Sequence, residues 1–456
     1  MKRWMWLALV AVVVIAAAIS IIALPRSPEW TTSSPAALAE LQLALQSKMK
    51  LYHADTIAHL EKAVALDPDF MMAHLLLTEY AGFDDRIDAE EHRAKVLEAD
   101  VDSLRPRERL YVERMKAIRG KRTEDANRLI DEYRKRFPDD PAVLETAAAV
   151  AFQRGDNEAA ERLYRRLIEL SPNWVIAYNQ LGYLTMREGR FAEAEEHFTS
   201  YRFIAPDQAN PHDSLGELYI ILGRLPEAVQ CFETALEIKK DFWDSYVHLV
   251  LARTMLEDYA GAAQAAAAAQ AVPSCPAEMA EGIGCVATCL ELEANARWRE
   301  VLALQSTPCL NDASMTDFCP RITHRAACQL GEWEVARAIE AKVEAYRDEA
   351  KEKGEAMKVD DSMPSLLHLQ GVRLALSGDR AAAEKAFAEA DARLTYHNSF
   401  IGLFKLYNRL FLVETLLAEG RDGEAHQLLA KVRAVNPWLV TRFEEDGLTL
   451  LGLPRG

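Results

Sequence analysis

A period of 34 residues constrains the fold of this chain more than any other feature of its sequence. Proline, glycine and alanine each return at this step. The series are Pro138, Pro172 and Pro206; Gly155, Gly189 and Gly223; and Ala126, Ala160, Ala194, Ala228 and Ala262. Three series in one register predict an array of repeated units, each of which contacts mainly its neighbours.

One unit, residues 174–206, indicates what the period encodes. Apolar residues at helical spacing predict a first helix that ends at Gly189 and a second helix that carries Ala194 and Phe198. Gly182 and Ala194 are small where two antiparallel helices must approach, and Phe198 fills the seam between them. Gly189 tolerates the positive φ of a tight connection. Each unit is therefore predicted to be a helical hairpin.

This order of residues, Gly182-x6-Gly189-x4-Ala194-x3-Phe198, resembles the tetratricopeptide repeat. Further copies lie at residues 215–232, 371–390 and 420–437, and the resemblance covers most of residues 36–440. Residues 82–109 depart from it, because Asp102 stands where the period expects a proline. The resemblance implies an all-α fold, a right-handed α-solenoid of about nine or ten stacked hairpins.

In such an array the first helix of every hairpin lines a concave face, which is the expected partner-binding groove. The residues predicted to point into it are Glu145, Phe152, Asn179, Tyr183, Met186, Asp213, Glu217, Ile220, Val247 and Leu251. Family members that clamp a peptide carboxylate use basic residues and asparagine there, whereas the carboxylates in this groove would repel an anionic terminus. We therefore expect a protein or peptide partner with basic and apolar side chains. Simple helix packing is the alternative for each residue, and an inner face plugged by the molecule's own tail would contradict the groove.

Residues 4–24 form an apolar stretch in which Ser20 is the only polar residue. A helix of that length spans roughly 30 Å, the thickness of the hydrocarbon core of a bilayer. Lys2 and Arg3 precede the stretch, so the positive-inside bias places the following residues outside the cell. We expect residues 1–30 to be a single-pass anchor in a bacterial inner membrane, with the repeats in the periplasm. A cleaved signal peptide is the alternative.

Repeat quality divides the remaining chain into three regions. These are an N-terminal array (36–273), a cysteine-rich stretch of degenerate repeats (274–330) and C-terminal repeats (331–456). A charged run at 347–361 predicts a looser connection. The chain has 53 basic and 70 acidic residues, and the resulting net charge of −17 argues against nucleic acid as a partner. No oligomeric state is predicted.

Six of the seven cysteines lie within 54 residues. They are Cys275, Cys285, Cys289, Cys309, Cys319 and Cys328. An exported location permits disulfides among them, and the sequence leaves their pairing open. Cys309 and Cys319 flank a turn-rich loop and are the first pair to test, while Cys285 and Cys289 share a helical face. Buried, reduced cysteines are the alternative. Zinc-finger and haem-attachment spacings are absent from the sequence, so no metal or cofactor is expected.

Sequence signals for catalysis are also absent. The chain contains no phosphate-loop, zinc-helix or nucleophile-elbow motif, so we expect no catalytic residues. The predicted function is a non-enzymatic scaffold that holds a protein partner. Two alternatives stay open: an enzyme accessory or periplasmic enzyme with its site near the cysteine cluster, and an assembly adaptor that faces the cytoplasm.

Overall fold

The computed structural model describes residues 30–80, 87–273, 275, 277–304, 319–352 and 356–453, without the side chains of 319 and 356–361. All regular structure in these ranges is helical, which confirms the predicted all-α class. The predicted membrane anchor, residues 4–24, lies outside them. Of the helices that are described, none combines the length and the apolar character needed to cross a membrane.

The chain forms two compact units, Met1–Arg154 and Gly155–Gly456. The boundary falls inside the predicted N-terminal array. Helices of the first unit are α1 (Pro35–Met49), α2 (His53–Leu66), α3 (Met71–Tyr80), α4 (Ala89–Glu98), α5 (Pro106–Arg119), α6 (Thr123–Arg136) and α7 (Pro141–Gln153). They pack as successive pairs, α1 with α2, α3 with α4 and α5 with α6, so the odd-numbered helices are the first helices of hairpins.

The second unit continues the same alternation. Its helices are α8 (Asn157–Leu170), α9 (Val175–Arg187), α10 (Phe191–Ile204), α11 (Ala209–Leu222), α12 (Leu225–Ile238), α13 (Trp243–Met255), α14 (Tyr259–Gln270), α15 (Ala277–Ala294), α16 (Trp298–Ala303), α17 (Cys319–Leu330), α18 (Trp333–Glu352), α19 (Ala356–Ser377), α20 (Arg380–Arg393), α21 (Ser399–Ala418), α22 (Asp422–Val435) and α23 (Pro437–Glu444). Pairs such as α9 with α10, α11 with α12 and α21 with α22 form the predicted hairpins.

Close packing inside the hairpins depends on glycine. A Cβ atom added to Gly182 would lie 2.4 Å from the ring of Phe198, which is fully buried. The same contact recurs between Gly216 and Phe232 and between Gly371 and Phe387, at 2.5 and 2.6 Å. No heavy atom fits at such distances in a close-packed interior. The small-against-large pairing predicted from one unit is therefore confirmed in three hairpins.

The periodic glycines end first helices in the left-handed backbone region. Gly155, Gly189 and Gly223 have φ angles of 76°, 77° and 73°. A side chain is strained in that region, whereas glycine adopts it readily. The 34-residue glycine series thus marks the turn inside each hairpin, as predicted.

Two regions were expected to depart from regular hairpins, residues 347–361 and 82–109. In the predicted loose connection at 347–361, α18 runs to Glu352 and α19 begins at Ala356, while residues 353–355 lie outside the described part of the chain. The charges compensate along the helix: Arg347 pairs with Glu344 at 3.2 Å and with Asp348 at 2.8 Å. In the departing segment 82–109 the described second helix, α4, has only 10 residues.

Candidate functional site

Three first helices of the second unit, α9, α11 and α13, carry most of the predicted groove residues. A chain of hydrogen bonds joins α9 to α11. The Tyr183 hydroxyl donates to Glu217 Oε1 at 2.7 Å and lies 3.1 Å from Ser214 Oγ, which donates to Asn179 Oδ1 at 3.1 Å. Burial together with the Glu217 charge raises the pKa of Tyr183, so its hydroxyl stays a donor. The network holds these two helices in a fixed register.

A later part of the same chain covers this face. We call residues 394–402, which include the first turn of α21, the covering segment. The Ser399 amide and hydroxyl each donate to Glu217 Oε2 at 2.8 Å. The Tyr396 ring packs edge-on against Phe191, with centroids 5.1 Å apart, and Phe400 lies 5.7 Å from His248. The face is therefore occupied by the molecule itself.

A buried charged cluster lies beneath the covering segment. His248 Nδ1 is 3.0 Å from Asp213 Oδ1, and Nε2 is 3.6 Å from Glu217 Oε2. Ser245 Oγ also donates to Asp213 Oδ1, at 2.6 Å. Burial lowers the pKa of His248, but the charges of Asp213 and Glu217, with a further contribution from Asp244, outweigh this effect and raise it to about 10. His248 is thus an imidazolium at neutral pH, paired with both acids.

The same three side chains could hold a cation, because one ligand atom from each lies within 4.8 Å of the others. An imidazole binds a metal through a deprotonated nitrogen, so binding would have to displace a proton from His248. The raised pKa of His248 opposes that exchange, and both of its ring nitrogens already face carboxylates. Asp213, Glu217 and His248 therefore fit an internal ion network better than a metal site.

The predicted groove residues of this unit do not line an open surface. Six are buried, namely Asn179, Met186, Asp213, Glu217, Ile220 and Leu251, while Tyr183 and Val247 are half-buried. Their partner-binding role stays a prediction, and any partner would first have to displace the covering segment. Nothing in the repeat pattern indicated this cover, because its contacts join residues as far apart as Glu217 and Ser399.

The first unit presents a different surface, on its first helices α1, α3, α5 and α7. We call the side chains of Lys48, Glu79, Tyr111, Arg114 and Glu145 the mixed-charge face. Lys48 Nζ lies 3.1 Å from Glu79 Oε2, and these two side chains are 40% and 45% exposed. Burial lowers the pKa of Lys48, but the Glu79 charge outweighs it and raises the pKa. Four of the five side chains, all except Glu145, were missed from the sequence because the weak repeats of residues 36–116 hid their phase.

One side-chain donor of this face, in Arg114, has no acceptor among the described residues. This donor is the buried Nε, and burial lowers the pKa of Arg114. Tyr111 lies 3.3 Å from Thr146 on α7, next to the predicted groove residue Glu145. Glu145 and the other predicted residue of this unit, Phe152, are both half-buried. The face can thus offer exposed charges of both signs to a partner.

The structure describes only some of the clustered cysteines. Cys285 is disulfide-bonded, which agrees with the predicted use of disulfides. Its sulfur lies 3.9 Å from that of Cys289, so these two are not joined to each other. Burial raises the pKa of the Cys275 thiol. Cys309 and the side chain of Cys319 lie outside the described part of the chain.

Cys328 corrects the predicted set, because it is a free thiol. Its sulfur lies 3.7 Å from His324 Nδ1, and His324 Nε2 lies 2.9 Å from Glu340 Oε1. The arrangement of Cys328, His324 and Glu340 resembles a catalytic cysteine with a base and an orienting acid. A nucleophilic cysteine, however, needs a lowered thiol pKa and access for a substrate. Burial raises the pKa of Cys328 to about 12, and the side chain is 3% exposed. Cys328 therefore acts as a small core residue.

Comparison with known proteins identifies the repeats. Tetratricopeptide repeat family models match residues 117–173, 146–209 and 211–242. Residues 117–242 are accordingly tetratricopeptide repeats. Proteins of this family are typically interaction scaffolds without catalytic activity.

Similar proteins share only part of this chain. The TPR repeat-containing protein PA4667 of Pseudomonas aeruginosa is 28% identical over 187 residues, which are 40% of this chain and 31% of that protein. The human cell division cycle protein 16 homolog is 26% identical over 125 residues, or 25% of this chain and 20% of the relative. The chain thus spans between a fifth and a third of the length of these relatives. A tetratricopeptide repeat protein from Parabacteroides merdae has 15% identity and a TM-score of 0.42, covering 60% of this chain and 98% of its own.

Proposed function

We propose that this protein is a non-enzymatic scaffold that holds a protein partner on the mixed-charge face of its first unit. The observation that carries the proposal is the Lys48–Glu79 pair, whose side chains are 40% and 45% exposed and lie beside Arg114. These groups come from three successive first helices, the elements that line the partner-binding side of a repeat array. The tetratricopeptide repeat matches support a binding role over an enzymatic one.

The chemistry of the face suggests what the partner offers. A basic side chain of the partner would complement Glu79 or Glu145, in line with the charge expected from the sequence. Part of the binding strength should therefore be lost at high salt.

The location of the scaffold is a further part of the proposal. Residues 4–24 would anchor it in a bacterial inner membrane, with the repeats stacked as a right-handed solenoid on the periplasmic side. The disulfide at Cys285 favours an oxidising compartment. A partner would then be an exported protein or the exposed part of a membrane protein.

A photoreactive amino acid at Ala149 tests the proposed function. Ala149 is half-buried on α7, one helical turn from Glu145, whereas Lys135 is exposed on the second helix α6 and gives a matched control. In intact cells we expect a discrete crosslinked partner from position 149 that is lost when Glu145→Lys is added. The proposal is refuted if positions 149 and 135 capture the same set of proteins. A photoreactive amino acid at Tyr183 tests the covered face of the second unit. There we expect crosslinks within the chain instead of to a partner.

A further inference from the structure

The second unit holds a second stretch of its own chain, after α23. We call residues 448–453 the distal segment, and Arg325, Gln329 and Glu414 the distal cleft. Arg325 and Gln329 lie on α17, and Glu414 lies on α21, so the cleft is made by the first helices of two hairpins. The distal segment crosses between them without helical structure.

Side chains of the cleft bind the main chain of the segment. Arg325 donates from Nε to the Leu450 carbonyl at 2.9 Å and from Nη2 to the Thr449 carbonyl at 3.3 Å. Gln329 Nε2 donates to the Leu451 carbonyl at 3.1 Å. Two side chains of α17 thus bind three successive main-chain carbonyls of the segment.

Glu414 completes this recognition from the opposite side. Its carboxylate accepts hydrogen bonds from three successive amides, those of Leu450, Leu451 at 2.7 Å and Gly452 at 3.2 Å. Burial raises the pKa of Glu414, while these amides and the charge of Arg325 act in the opposite direction. A buried carboxylate needs such donors, so the cleft is incomplete when no peptide occupies it.

Two leucines and a glycine give the cleft its selectivity. The side chains of Leu450 and Leu451 are 2% and 1% exposed and join the main core cluster of the unit. Gly452 has a φ of 69°, where a side chain would be strained. Proline is excluded at these three positions, since each supplies an amide hydrogen. The contacts therefore select a non-helical segment with two adjacent aliphatic residues followed by glycine.

We propose that the distal cleft is a peptide-binding site for a partner segment of the form x-Leu-Leu-Gly, which the chain's own distal segment occupies in competition. The inference rests on the proposed scaffold function and adds a second, regulated site to it. The bound segment is well suited to exchange, because only two of its four leucines, Leu450 and Leu451, are fully buried, while Thr449 and Gly452 are exposed. Gly447, with a φ of 74°, gives the preceding loop a turn.

The distal segment is tethered to the cleft, and this determines how well a free peptide can compete with it. A segment on a short linker has an effective concentration of roughly millimolar, so a free peptide binds the intact chain weakly. Substituting Leu451→Asp in the full chain should empty the cleft, because it places a charge in an apolar pocket beside Glu414. Thr449→Asp is the matched control, since it adds the same charge at an exposed position whose carbonyl alone is used.

The probe is a fluorescent peptide of residues 445–453. Its binding to each full-length chain is measured by fluorescence anisotropy. We expect the Leu451→Asp chain to bind it at least about tenfold more tightly than the wild type or the Thr449→Asp chain. Equal binding to all three, with the helical circular dichroism retained, overturns the inference. A mixed dimer of Leu451→Asp and wild-type chains would also overturn it, because the occupant would then be a second copy.

Hydrogen exchange on the unmodified chain covers the case in which Leu451→Asp fails to fold. Excess peptide should increase exchange at the amides of Leu450, Leu451 and Gly452 within the protein, and a peptide with Leu451→Asp should not. Unchanged protection of these amides contradicts the inference. Either negative result leaves crosslinking from Ala149 unaffected, so failure of this site and failure of the scaffold function are distinguishable.

Discussion

The substitution His248→Gln tests the buried ion network directly. Gln retains a hydrogen-bond donor for Asp213 but removes the positive charge between Asp213 and Glu217. In the folded chain burial lowers the pKa of His248, and the nearby carboxylates raise it to about 10, against an ordinary value of 6.5. The side chain is 10% exposed, so solvent screens the interaction little.

The sign and size of the effect follow from linkage. Because the folded pKa of His248 exceeds the unfolded one, its contribution to stability is complete below pH 6.5 and is lost as the pH rises toward 10. A difference of about 3.5 in pKa, at about 1.4 kcal/mol for each pH unit, sets an upper bound of about 5 kcal/mol. In the variant, the two acids face each other without a cation, which destabilises it further near neutral pH.

Urea unfolding followed by circular dichroism at several pH values from 6 to 9.5 measures this contribution. We expect the wild type to exceed His248→Gln in free energy of unfolding by several kcal/mol at pH 6, and the gap to narrow steadily above pH 7. Substitution of the exposed His426 by Gln controls for the general effect of losing a histidine. A gap that is constant across the range would refute the assignment of His248 as the buried cation.

Two further predictions concern packing and location. Gly182→Ala should destabilise the fold by about 1–3 kcal/mol. Alanine favours a helix over glycine by up to about 1 kcal/mol, but the overlap of its Cβ atom with the Phe198 ring should outweigh this gain. Gly423→Ala, where nothing lies within 4 Å, should be neutral or stabilising, and thermal unfolding compares the two. If the repeats face the periplasm, a membrane-impermeant maleimide should label Lys135→Cys in intact cells. Labelling only after permeabilisation would favour the cytoplasm-facing adaptor.

The hairpins were predictable from the sequence because their contacts are local. Gly182 meets Phe198 sixteen positions later, well within one 34-residue repeat, and Gly189 acts through its own backbone angle. Nearest-neighbour packing of this kind repeats with every unit, so it leaves a periodic trace in the sequence. The all-α class and the hairpin turns could therefore be inferred without a structure.

The covered face was not predictable, because its contacts occur once and join distant repeats. Ser399 and Glu217 are separated by 182 positions and form no periodic pair. Asn436 is a similar case. Its side chain caps α23 by accepting from the Leu439 amide at 2.8 Å, which a sequence motif can indicate, but it also donates to the Ile221 carbonyl at 3.0 Å. A single polar residue thus gives no sign of its second, long-range partner.

The two units therefore favour different modes of binding. In the second unit, first-helix side chains such as Glu217 and Glu414 are satisfied by main-chain amides of the chain itself, so an added partner must replace bonds that already exist. In the first unit, Lys48 and Glu79 of the mixed-charge face are 40% and 45% exposed, so a partner can contact them without displacing the covering segment. The first unit should therefore bind its partner constitutively. The second should respond only to partners that resemble the segments it already holds.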